Sequence, residues 1–186
     1  MAGEPFGSRA DGEAQRLRAE ALGEPGQRRF RMLAVVDGVT HVVWMEKQQL
    51  QALGLALEQL LDQLPDRGPD LGGGDALAAF QDDTLNQFRA GRMELGYDER
   101  RNLIVVAAHD MAQDDEDAEP TLRCRMTRTQ ARDLSAEVAT VVAAGRPRCT
   151  MCGAPMGPGP HVCPQQNGHL PHSFEDTEGE IEVEQP

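Results

Sequence analysis

The sequence predicts an α+β fold: a duplicated strand-strand-strand-helix unit that forms an antiparallel sheet with two helices, followed by a C-terminal zinc-knuckle-like segment. Three observations predict it. Two stretches repeat one pattern of turns and apolar positions. Each ends in a one-sided apolar stripe at helical spacing. Beyond the second stripe, Cys149-Thr-Met-Cys152-Gly153 and His161-Val-Cys163 gather potential metal ligands within a few turns of chain.

The repeat comes from two matched registers. Leu22-Gly23, Arg28 and Phe30 match Leu95-Gly96, Arg101 and Leu103 at an offset of 73 (22 to 95). Leu50, Leu53, Leu57, Leu60 and Leu61 match Ala131, Leu134, Val138, Val141 and Val142 at an offset of 81 (50 to 131). Met45 and Gln49 match Met126 and Gln130 at the same offset. The difference of 8 is the length of an acidic loop at 112–119, so one insertion reconciles the registers.

Each element follows in order. Residues 17–22 read as a strand, and Gly23-Glu-Pro-Gly-Gln27 as a turn. Residues 29–36 and 39–45 read as strands around the hairpin pair Asp37-Gly38. The leucine stripe makes the first helix. Residues 88–95, 103–109 and 121–126 repeat the strands. Thr127 and Gln130 form a capping box that opens the second helix, and Gly145 and Pro147 stop it. The chain therefore divides into a disordered N-terminus (1–15), a duplicated domain (16–146, with repeats 16–65 and 87–146 and a linker 66–86), a Cys/His segment (147–172) and an acidic disordered tail (173–186). A turn of helix is expected within the linker at 76–80.

Composition narrows the function classes. The formal net charge of −13 is concentrated in five acids of the loop and six of the tail; without those eleven the remainder is −2. A near-neutral folded part with few stacking aromatics makes nucleic-acid binding unlikely. No run of about 18 apolar residues is present, so no membrane helix is expected, and the polar start carries no secretory signal. The expected localisation is cytoplasmic, where four cysteines point to metal or plain thiols rather than disulfides.

The expected metal site is Cys149, Cys152, His161 and Cys163, with His169 as the alternative fourth ligand. His161 and Cys163, two apart on an extended segment, project to one side. Four protein ligands make a closed, structural zinc (Zn2+) site with no position for water. The prolines around the motif argue against a helix-opening redox pair. Cys124 reads as a buried thiol matching Val43, and His41 as a partly buried histidine matching Leu122. Trp44, Arg123 and Arg125 make a candidate binding surface. No residue is assigned a catalytic role, and no Gly-rich phosphate loop is present.

Gly23-Glu-Pro-Gly-Gln-Arg28, Glu46-Lys-Gln-Gln49, Phe88-Arg-Ala-Gly91, Met93-Glu-Leu-Gly96, Ala144-Gly-Arg-Pro147 and the following Cys149-x-x-Cys152-Gly153, Gly159-x-His161-x-Cys163-Pro164 and Asn167-Gly168 resemble an actinobacterial family, domain of unknown function 3090. The resemblance implies Cys149, Cys152, His161 and Cys163 as the ligand set and carries no activity. It also implies a genomic association with a histidine-phosphatase-type protein. The expected function is a non-enzymatic binding or assembly module with a structural zinc site, working with a protein partner or by self-association. The alternatives are an enzyme with an anionic-substrate site between the repeats, using Arg28, Arg29, Arg100, Arg101, Arg123 or Arg125, and, more weakly, a nucleic-acid-associated zinc ribbon.

Overall fold

The computed structural model describes residues 9–65, 78–81, 84–113, 118–144, 149–154, 156 and 163–165. The chain forms two compact units, Met1–Gly145 and Arg146–Pro186. The first contains β1 (Ala10–Leu22), β2 (Arg29–Val36), β3 (Val39–Met45), α1 (Lys47–Gln63), β4 (Gln87–Asp98), β5 (Leu103–Asp110), β6 (Leu122–Met126) and α2 (Arg128–Ala143). The order β-β-β-α thus occurs twice.

The six strands close into a barrel in sequence order. Pairing is antiparallel inside each half and parallel at the two seams, β3 with β4 and β1 with β6. The expected sheet was antiparallel throughout, and the seams correct that. Hairpins force alternation within a half, whereas the helix between β3 and β4 brings the chain back to start β4 in the direction of β3. Three strands per half is an odd number, so β6 then also runs with β1. The seams are short, four residue pairs between β1 and β6 and three between β3 and β4, so beyond them β1 pairs with β2 alone and β4 with β5 alone.

β1 begins at Ala10 and pairs through Glu13 with Leu122–Arg125 of β6. Residues 10–15, expected to be disordered, are therefore strand. Their composition is poor in β-formers; the seam supplies their hydrogen bonds instead. The expected disorder of 1–8 and of the tail lies outside the described residues, as does most of the linker. Residues 78–81 have no helical turn.

Register also corrects the repeat alignment. Phe30 pairs with Met45 and Ile104 with Met126. From the matched methionines, Phe30 therefore corresponds to Ile104, an offset of 74 rather than 73. A slip of one residue exchanges the faces of a strand, and Ile104 is fully buried whereas Leu103 is only half-buried. The turn between β2 and β3 is as expected, with Asp37 (φ 50°) and Gly38 (φ 77°) both left-handed.

One apolar core joins the strands to the helices. Met32, Val43, Ile104, Val106, Leu122 and Met126 pack in the same cluster as Leu50, Leu53 and Leu57 of α1 and Ala131, Leu134 and Val138 of α2. The apolar stripes of both helices therefore face the core, as their spacing predicts. The helices also touch each other closely. Ser135 Oγ donates to the Gly54 carbonyl at 3.1 Å, and a Cβ on Gly54 would lie 2.7 Å from Val138 Cγ1. Glycine is required there by close approach rather than by φ. Both helices open with a capping box, Glu46 with Gln49 and Thr127 with Gln130. The second was evident in the sequence; the first was not.

Candidate metal centre

In the C-terminal unit the chain turns at Thr150–Cys152, and Gly153 adopts φ 71°, a conformation that a side chain would resist. The turn is closed by two backbone bonds of 2.9 Å: Gly153 N–H donates to the Cys149 carbonyl, and Cys149 N–H donates to the Ala154 carbonyl. These bonds fix the directions of the two Cα–Cβ vectors and so aim both sulfurs to one side.

Cys163, which is buried, completes the group. The three Sγ atoms of Cys149, Cys152 and Cys163 lie within 4.8 Å of one another, and Cys149 Sγ is 3.7 Å from Cys163 Sγ. Zinc–thiolate bonds of about 2.3 Å at tetrahedral angles put sulfurs about 3.8 Å apart. The cluster therefore fits a divalent ion of that size, and three thiols could hold one. Both proposed fourth ligands, His161 and His169, lie outside the described residues.

The electrostatics favour metal-ready sulfur. Backbone N–H groups of Cys152 and Met151 point at Cys149 Sγ and, with the neighbouring thiols, hold its pKa at about 6. For Cys152 the Ala154 N–H acts in the same direction, but burial and the neighbouring sulfurs outweigh it and raise the thiol above its usual value. Cys149 is thus eased into the thiolate form while Cys152 is held back from it, the pattern of two sulfurs crowded around a common point.

The other candidate residues do not converge. Trp44 sits on β3 and Arg123 and Arg125 on β6, and closure of the barrel puts two strands between them in either direction. The expected joint surface does not form. Arg123 and Arg125 are held by the Asp11 carboxylate across the β1–β6 seam at 3.1 and 2.5 Å. Partial burial raises the Asp11 pKa, but Arg125 and Arg123 more than reverse this and hold it below the usual carboxylate range.

Arg28 donates to the Ala144 carbonyl at the end of α2, and Arg29 lies over the Trp44 ring at 4.5 Å. The backbone N–H groups of Arg100 and Arg101 both bond Asp98 Oδ1 at 3.1 Å in the β4–β5 turn. Cys124 is fully buried and its thiol is pushed up to about 12, which suits a structural thiol and not a nucleophile. His41 is more buried than expected, and burial lowers its pKa against a smaller opposing effect of Asp37. His109 is also buried, beside Glu94 at 3.3 Å.

Two surface grooves of about 280 and 290 Å3 lie along the helices. The first, between α1 and α2, has Glu58 as its one titratable lining residue; the second, between α1 and β4, has only Glu94. Neither gathers the arginines. No described helix is long and apolar enough to cross a membrane.

Fold and site together define a small α+β barrel protein with a three-cysteine cluster able to hold a metal ion. The chain belongs to the family described as "Protein of unknown function (DUF3090)", which matches residues 12–163 and so spans both halves of the barrel and all three clustered cysteines. No curated protein and no solved structure matches the chain.

Proposed function

We propose that this protein is a non-enzymatic binding or assembly module whose C-terminal unit is held together by a structural zinc ion on Cys149, Cys152, Cys163 and His161. The observation that carries the reading is the spacing of the sulfurs, 3.7 Å between Cys149 and Cys163, against the tetrahedral edge of about 3.8 Å for zinc thiolates. Three thiolates and one imidazole favour zinc among the common divalent ions and leave no coordination position for water, so the ion would supply folding energy and no chemistry. Among the described residues of the unit only Cys163 is buried, so apolar packing there offers little to do that work.

Two further proposals belong to this reading. The two β-β-β-α halves arose by internal duplication, and the protein works in the cytoplasm, where unpaired thiols persist. Its partner is another protein or a second copy, with a histidine-phosphatase-type protein as the first candidate. The non-catalytic reading draws on the fate of the reactive groups: Cys124 and His41 are buried in the barrel, and Arg123 and Arg125 are committed to Asp11.

Metal analysis of the purified chain tests the reading. About one zinc per chain is expected, lost in Cys149→Ser and His161→Ala, with chelation making the C-terminal unit sensitive to subtilisin, since 149–186 holds no Lys or Arg for trypsin. A metal-free preparation that resists subtilisin as well as a zinc-supplemented one would defeat it.

A further inference from the structure

The outer face of the first half carries a cross-strand row with no equivalent in the second. Glu20, Arg31, Trp44 and Arg89 are direct neighbours across β1, β2, β3 and β4. Gly96, Val105 and Arg125 occupy the corresponding row of β4, β5 and β6. A barrel can evidently be built without the aromatic and the arginine ladder, so their presence on one side calls for another explanation than folding.

The row is organised around Trp44. The guanidinium groups of Arg29 and Arg31 lie over its ring at 4.5 and 5.5 Å, and Nε1 donates to Gln87 Oε1 at 3.0 Å. Arg31 is also gripped by Glu20 Oε2 through two bonds of 2.9 and 2.7 Å. Arg18 donates to the other Glu20 oxygen at 3.1 Å, and Arg89 pairs with Glu46. These contacts hold planar guanidinium groups in place before any partner arrives, which lowers the entropy lost on binding.

The charge is not balanced. Among the described residues, four arginines (18, 29, 31 and 89) stand on this face with two carboxylates, Glu20 and Glu46. Among the described residues Arg29 has the Trp44 ring and no carboxylate partner. It is exposed, and the Arg89 side chain is 57% exposed.

We infer that this face binds an acidic polypeptide segment in extended form, with carboxylates meeting the exposed Arg29 and Arg89 guanidinium groups around Trp44, while Arg31, its side chain 12% exposed and held by Glu20, keeps the ring in place. The inference rests on the reading of the chain as a binding module and names its surface and the chemistry of its partner. Arginine favours carboxylates because its fork matches them two bonds at a time. A protein partner fits better than nucleic acid: the chain carries −13 overall, which repels a polyanion at long range while leaving a short acidic segment to be recognised locally.

Trp44 is the only tryptophan in the chain, so its emission reports this face directly. The probe is a synthetic peptide with the sequence of residues 174–186, in which Glu178, Glu180, Glu182 and Glu184 alternate. It is titrated against the full chain and against a full-length variant carrying Glu→Gln at those four positions, which removes competition from the chain's own acidic residues. Saturable change in Trp44 emission is expected with at least one of the two proteins. Arg29→Glu should weaken it about tenfold or more, and added salt should weaken it further.

Absence of saturable binding to both proteins, by emission and by calorimetry, overturns the inference, as does indifference to Arg29→Glu. Tighter binding of an RNA oligonucleotide than of the peptide overturns the choice of partner. Zinc content measured in Arg29→Glu keeps the outcome separate from the metal reading: unchanged metal with lost peptide binding concerns this face alone.

Discussion

The side-chain amide of Gln130 donates to the Ala14 carbonyl at 2.9 Å. Gln49 makes the corresponding bonds, to the Ala90 and Gly91 carbonyls, both at 3.2 Å. The register of β1 shifts between Ala14 and Arg16, and that of β4 between Ala90 and Met93. A shift leaves carbonyls outside the ladder, and a buried carbonyl without a partner is costly. Each glutamine closes its capping box with its oxygen and serves the shifted strand with its nitrogen.

Gln130→Ala should therefore lose the cap and the strand bond together, about 2 kcal/mol. Gln49→Ala should lose less, about 1 kcal/mol, because its bonds are longer and its surroundings wetter. Urea unfolding of the two variants measures both, and equal losses would contradict the ranking.

Gly54→Ala should destabilise the protein despite alanine's better helix propensity. The propensity gain is about 1 kcal/mol, but the new Cβ would sit 2.7 Å from Val138 Cγ1, and overpacking costs about 1–3 kcal/mol. Adding Val138→Ala removes the 2.7 Å contact and leaves only the Cβ of residue 138 at 3.2 Å, so Gly54→Ala should cost less in that background than in the parent. A double-mutant cycle reads the difference.

Metal retention should depend on pH through Cys149. Its thiol falls from 9.0 to about 6 in the folded chain, so folding favours the thiolate. That stabilisation is complete above pH 9, declines as pH falls, and is gone once pH has passed through 6. Zinc should be held at pH 7 and released only at a pH below the free thiol's value of about 6, because the bound ion itself opposes protonation of its ligands; dialysis from pH 7 into stronger acid with metal analysis would report it.

In chelated protein at pH 7 the alkylation order should follow the same values. Cys149 (about 6) should react first, and Cys124 (about 12, fully buried) only after unfolding. Mass spectrometry of the peptides gives the order, and early labelling of Cys124 would mean that the barrel opens readily.

Asp11→Asn should have a small effect. The carboxylate bonds Arg123 and Arg125 across the β1–β6 seam, but it is half exposed, and exposed pairs contribute well under about 1 kcal/mol. Its pKa is lowered from 3.8, so this contribution is present above that value and is lost as pH falls below it. Stability curves of variant and parent should converge in acid.

What could be read from the residues was short-range. Thr127 and Gln130 announced a helix start, and the spacing of Leu50, Leu53 and Leu57 announced its buried side. Ala10–Glu13 gave no such signal, because their strand state comes from β6, more than a hundred residues away. Trp44 and Arg125 looked like neighbours because they hold matching places in similar patterns. A pattern match places residues in equivalent positions, not in contact, and barrel closure separates these two.

By itself the chain determined the turn that aims Cys149 and Cys152, the left-handed pair Asp37-Gly38 and the faces of both helices, since each depends on dihedral preferences and spacing within a few residues. Tertiary structure alone decided the parallel seams and the one-residue shift in the match between β2 and β5. Those choices turn on pairing between distant segments, whose free energy appears only when the whole set of strands closes at once.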